Sequence, residues 1–271
     1  NFSESQLQQI VNTEITMRLL SSSGQRYVPI IPSLREEHLL GWDTGFYLDY
    51  LLSLPHLNQK GCNFFIQYKL STLIEGNRGK EYSFWQCPYL RFQIPHRSKT
   101  SRLQGNPYDY NQFDRLKDLA NKGYYVYYAT NHVVHDRELF DIASSQKLLD
   151  EIPFLDVSMI NNHHQKVTFT RHSPYFYLHS NLEKINALSW EKIYHKAKQI
   201  DNKTSLSDDI KFFENFILEF ERKMNISEKD GFSKDMKKII NLPTEAKIIA
   251  KAMIISSYLK RYLNLNWYKI Y

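Results

Sequence analysis

Apolar residues recur three and four apart from Leu7 through Ile10, Val11, Met17, Leu19 and Leu20, which predicts an amphipathic helix over about 3–20. Ser3-Glu4-Ser5-Gln6 at its head spells a capping box, and Ser21-Ser22-Ser23-Gly24 stops it. Pro29 and Pro32 then mark loop or edge strand. Aromatic and branched residues over 46–54 read as a strand, 55–61 as a turn and 63–71 as a second strand. Phe64, Phe65 and Ile66 run together there, as in a strand buried on both faces. After a loop at 76–79, residues 89–94 alternate like a strand and stop at Pro95; 97–107 is a polar, basic surface loop. Phe113, Leu116, Leu119 and Ala120 predict a helix over 109–122 closed by Gly123, followed by a strand at 124–130 and a helix at 136–149.

The stretch 153–188 is irregular, with short strands expected near 166–170 and 175–179. Beyond it the periodicity is helical, over about 189–200, 207–224, 233–241 and 244–263. Ile210, Phe213, Phe216, Ile217 and Phe220 form one apolar stripe, the mark of a core face. The change in type divides the chain into a mixed α/β part, 1–188, and a helical carboxy-terminal extension, 189–271, with no linker-like sequence between them.

Composition narrows the classes. With 42% hydrophobic and 24% charged residues the chain is neither disordered, collagenous nor a disulfide scaffold. Its longest apolar runs, such as 248–255, are too short and too broken by lysine to span a bilayer, so no membrane partner is expected. No amino-terminal stretch has the pattern of a signal peptide, and Asn1 in place of Met is expected if some preceding sequence has been removed. Cys62 and Cys87 make no framework, so a reducing cytoplasm is the simplest compartment. A net charge of +6 permits nucleic-acid binding without demanding it. Aromatics reach 14%, which core packing and background composition account for before any stacking role. Nine glycines and no phosphate-cradling loop argue against a nucleotide-hydrolysing domain. His132 and His135, and the set His163, His164, His172 and His179, match no zinc module. Ser144, Ser145 and Ser173 lack a nucleophile-elbow context.

The informative chemistry lies in Gly41-Trp42-Asp43 followed by Gln67-Tyr68-Lys69. Phe65, Gln67 and Lys69 share one strand face. A hairpin turning near Leu57 would set Lys69 opposite position 44 and bring Asp43 within reach of Gln67 and Lys69. A carboxylate and an amide oxygen are hard ligands for Mg²⁺, and a lysine beside them can orient water and offset transition-state charge. Lysine inside an apolar strand is costly to bury alone. Snorkelling, or a salt bridge to Asp43, is the purely structural alternative for Lys69. Asp49, within the first strand, is the competing acid if the register differs.

Asp43 with Gln67-Tyr68-Lys69 resembles the PD-(D/E)XK nuclease superfamily, in the Mrr-type variant that carries Gln in the motif. The resemblance implies a restriction-endonuclease-like fold over roughly 3–150 and Mg²⁺- or Mn²⁺-dependent cleavage of DNA. It implies that Asp43 and Gln67 hold the metal and that Lys69 activates water. It also implies an acidic residue from the preceding helix, where Glu14 stands, and a setting in bacterial defence or DNA processing. His96, Arg97, Lys99 and Arg102 read either as a solvated surface run or, functionally, as phosphate contacts beside the site, and Lys192, Lys196, Lys198 and Lys203 as a second basic surface. The alternative is a catalytically silent module of the same fold that binds a protein partner, through its helical part, or nucleic acid.

Overall fold

The computed structural model describes residues 2–23, 28–30, 45–47, 62–76, 79–94, 112–161, 164–199, 203–223, 231–263 and 265–270. In chain order the elements are α1 (Glu4–Ser23), β1 (Val28–Ile30), β2 (Gly45–Tyr47), β3 (Cys62–Lys69), β4 (Thr72–Ile74), α2 (Tyr82–Trp85), β5 (Tyr89–Gln93), α3 (Gln112–Asn121), β6 (Tyr125–Thr130), α4 (Asp136–Ser144), α5 (Leu148–Glu151), β7 (Phe154–Asp156), β8 (Lys166–Phe169), β9 (Tyr175–His179), β10 (Glu183–Asn186), α6 (Trp190–Lys198), α7 (Leu206–Lys223), α8 (Phe232–Lys238), α9 (Thr244–Leu263) and β11 (Asn266–Ile270). The expected mixed α/β class with a helix-rich carboxy-terminal part is what forms. Two compact units divide it: 1–18 with 64–197, and 19–63 with 198–271.

The first unit opens as its sequence spells. Ser3 Oγ accepts from the Gln6 amide at 3.2 Å and Gln6 Oε1 accepts from the Ser3 amide at 2.8 Å, a reciprocal capping box that starts α1. The buried stripe of this helix runs Leu7, Val11 and Ile15, while Met17, read as part of the apolar face, is 45% exposed. Its core strand, β3, is buried along almost its whole length and pairs parallel with β6, Phe64 opposite Tyr125 through Lys69 opposite Thr130. Parallel strands covered on both faces need no alternation, which accounts for the unbroken Phe64-Phe65-Ile66 run. β7 pairs antiparallel with β6. On one face of this sheet, Phe64 and Phe154 meet the Trp190 ring of α6 at 5.5 and 6.4 Å.

A second sheet, β10-β9-β8-β5-β4, is wholly antiparallel. Leu90, Phe92, Val167, Phe169, Phe176 and Leu178 alternate onto its buried face. Phe92 contacts Tyr128 of β6, centroids 6.0 Å apart, which joins the two sheets. The strand read at 89–94 is β5 of this second sheet, and the chain changes sheets between Lys69 and Thr72. The expected helix 136–149 is broken. Gln146 takes φ 57, a left-handed turn that ends α4 and lets α5 start in a new direction.

In the second unit α7, α8 and α9 are the expected helices, and β11 is a strand that the periodicity did not announce. Asp209, 1% exposed, accepts from Asn63 Nδ2 at 2.6 Å and Thr204 Oγ1 at 2.6 Å. Glu221, also buried, accepts from the Phe232 amide at 2.7 Å and caps α8. A Cβ on Gly231 would lie 2.6 Å from the same Glu221 oxygen, so a larger residue there has to displace that carboxylate. β1 and β2 form an antiparallel pair, Val28 opposite Tyr47 and Ile30 opposite Gly45.

Candidate functional site

The two parallel strands β3 and β6 end side by side, and in open α/β sheets the carboxyl ends of parallel strands are where side chains are free to serve ligands. Registered partners point to the same side, so Gln67 and Lys69 share their face with Tyr128 and Thr130. Gln67 is fully buried; Lys69, the last residue of the strand, is partly exposed. Tyr128 is fully buried too, and its hydroxyl has no hydrogen-bond partner among the described residues. Burial pushes its phenol well above the ordinary value, and the charge of Asp114 on α3 adds to the effect.

The strand end is fixed by its neighbours. Asn131, just past β6, accepts from the Ser71 amide at 2.7 Å and donates through Nδ2 to the carbonyls of Ser71 at 3.1 Å and Val133 at 2.7 Å. Ser71 Oγ and Thr130 Oγ1 lie 2.6 Å apart. A buried amide bridging two backbones in this way holds the segment after Lys69 against β6. Nothing in the spelling of Ser71 or Asn131 signals this, because the two are sixty residues apart.

Glu14 is held elsewhere. It is 6% exposed; Oε1 accepts from Arg18 at 2.8 Å and from the Leu149 amide at 3.2 Å, and Oε2 from the Leu148 amide at 3.1 Å. Its carboxylate thereby closes the amino-terminal end of α5. Helix α1 reaches β3 through Asn12, whose Oδ1 accepts from Tyr68 Oη at 2.6 Å. Tyr68 leaves the opposite face from Gln67 and Lys69. The geometry brings Gln67 and Lys69 together and does not add Glu14 to them.

Asp43 and the alternative Asp49 lie outside the described residues, as do His96, Arg97, Lys99, Arg102 and the turn 55–61. The described part of the expected first hairpin strand, 45–47, pairs with 28–30, and the ladder partner of Lys69 is Thr130. The pairing of 46–54 with 63–71 is corrected to that extent. The physical reason is that β3, buried on both faces, suits a covered parallel ladder rather than a hairpin edge. In the second basic set, Lys196 stands 3.7 Å from Asp156 and 4.7 Å from the centroid of the Tyr125 ring, which gives it a structural role. The His132/His135 pair separates: His132 is buried with Nε2 2.8 Å from Glu151, and His135 is exposed.

Among the described residues no three His, Cys, Asp or Glu side chains gather as a metal cluster. The Gln67 amide carbonyl is a hard oxygen donor of the kind that divalent cations take. No helix among the described residues is long and apolar enough to cross a membrane. No protein-family model, no curated protein and no solved structure matches the chain.

Proposed function

We propose that the chain is a metal-dependent phosphodiesterase that cleaves DNA, similar to the PD-(D/E)XK nucleases and serving bacterial defence or DNA processing. The observation that carries the reading is Gln67 and Lys69 on one face of β3, at the shared carboxyl end of two parallel strands. Asp43 and Gln67 hold the cation in this reading, with Asp49 the alternative acid. When bound, Mg²⁺ supplies positive charge against the scissile phosphate. Gln67 contributes a carbonyl oxygen from a buried, pre-positioned side chain. Lys69, at the edge of the buried zone, orients the attacking water and offsets charge as it develops. Glu14 keeps its place as the cap of α5.

Incubation with supercoiled plasmid and single-stranded circles in Mg²⁺, Mn²⁺ or EDTA tests it. Cutting is expected with metal and none in EDTA. Lys69→Ala should abolish cutting and leave metal binding largely intact, whereas Asp43→Ala should lower both. Gln67→Glu should tighten Mg²⁺ binding and keep partial cleavage, because oxygen stays in place and gains charge. Folded wild-type protein that cuts in no metal overturns the proposal and leaves the silent-module alternative.

A further inference from the structure

The outward face of the antiparallel sheet carries chemistry that the proposed hydrolysis does not use. Strand alternation sends Arg91, Lys166, Tyr175, Tyr177, His179 and Lys184 to this side, and none of the outward strand positions of the five strands is acidic. Glu81, from the segment before α2, neutralises part of the charge: it lies 3.0 Å from Lys166 and 3.5 Å from Arg91. Lys184 keeps its ammonium 3.6 Å from the centroid of the Tyr175 ring and pairs with no carboxylate among the described residues. Over the middle of the face, α2 lays Phe84 and Trp85. Phe84 contacts Trp85, Tyr177 and His179 at centroid distances of 5.1, 5.0 and 6.1 Å. Trp85 is fixed by its indole N–H to Thr168 Oγ1 at 3.0 Å, and that hydroxyl lies 2.7 Å from His179 Nε2. On this rigid bed Phe84 remains 43% exposed.

A ring held open to water by hydrogen-bonded neighbours, flanked by cations, is a stacking platform. The geometry points to single-stranded nucleic acid as its occupant, in a role separate from cleavage. Two features select that class. The cations meet phosphate and the rings meet bases, whereas an apolar protein partner would use the rings alone. Phe84, 43% exposed above Tyr177 and His179, is the open ring, and it can stack only on a base freed from its own neighbours, as in a single strand.

Fluorescence anisotropy with a labelled oligothymidylate and a duplex of equal length, both in EDTA, tests this without any cleavage. The single strand should bind more tightly than the duplex and quench tryptophan emission. Phe84→Ala should weaken single-strand binding roughly tenfold, and Tyr175→Ala should weaken it by a comparable factor. Lys184→Glu should weaken it and lower the log–log salt slope by about 0.7. Every arm is read in EDTA, where no cleavage occurs, which keeps this result separate from failure of the catalytic reading. Equal affinity for duplex and single strand, or folded Phe84→Ala and Tyr175→Ala that bind unchanged, overturns the proposal. A Phe84-dependent dimer in sedimentation would instead assign the face to a second copy of the chain.

Discussion

Glu81 and His132 show how single side chains tie this protein's stability to pH in two separate windows. Burial alone would raise the Glu81 carboxyl. The hydrogen bond from Lys166, a backbone bond and the Tyr89 hydroxyl outweigh it and hold the group at about 2, against an ordinary 4.5. Because the folded value lies below the unfolded one, its contribution is complete above about pH 4.5 and drains away as pH falls towards 2. His132 is also lowered, by burial first, against the pull of Glu151. Its folded value lies below its unfolded one, so its contribution is present above its ordinary 6.5 and is lost as pH falls below that. Urea denaturation from pH 8 to pH 2.5 should therefore show two losses. His132→Asn should flatten the upper one and Glu81→Gln the lower, with Glu81→Gln costing on the order of 2 kcal/mol at pH 7. A wild-type profile without the lower step would refute the Glu81 assignment. Neither role was legible in the sequence. Glu81 is spelled like a loop acid, and Lys166 stands 85 positions away.

At the scale of elements, local signals were legible and borrowed ones were not. The capping box of α1 is written in four adjacent residues, and the long helices α7 and α9 are written in their periodicity. The start of α5 is supplied by Glu14, more than 130 residues earlier, so no local spelling could mark it. Glu14→Gln should cost roughly 1–2 kcal/mol and Glu14→Ala roughly 3, since two buried amides lose their acceptor. Hydrogen exchange should quicken selectively at Leu148 and Leu149; a uniform change would contradict a capping role. Gly231→Ala should displace Glu221 from the Phe232 amide and cost about 1–3 kcal/mol, read by thermal denaturation. The edge-strand reading at Pro29 and the strand read from 46 overlap β1 and β2, but their pairing was beyond reach because so short a ladder leaves register to tertiary context. The same ambiguity underlies the expected hairpin. A strand buried on both faces carries no alternation to say which neighbour it takes, and β3 takes β6.

For the whole molecule, the change in periodicity near 189 marks where strands give way to helices, while the compact units divide at 18/19, 63/64 and 197/198. Trp190 explains why α6 stays with the first unit: its ring packs on Phe64 and Phe154 of the strands. Of the candidate site, residue types and face-sharing were readable from Gln67-Tyr68-Lys69, whereas Tyr128 and the Asn131 bridge needed the parallel register. A chain cut after 197 keeps 19–63 but removes the rest of their unit. It should bind a hydrophobic dye and unfold with a lower slope in urea than the full chain; an unchanged transition would contradict the discontinuous unit. That discontinuity also sets a clock on synthesis. Residues 19–63 leave the ribosome about 135 residues ahead of the segment that completes their unit. At roughly 5–20 residues per second the wait is on the order of ten seconds. During it the early segment has only itself and any chaperone to cover its apolar side chains, so slowing translation should raise aggregation of this chain rather than relieve it.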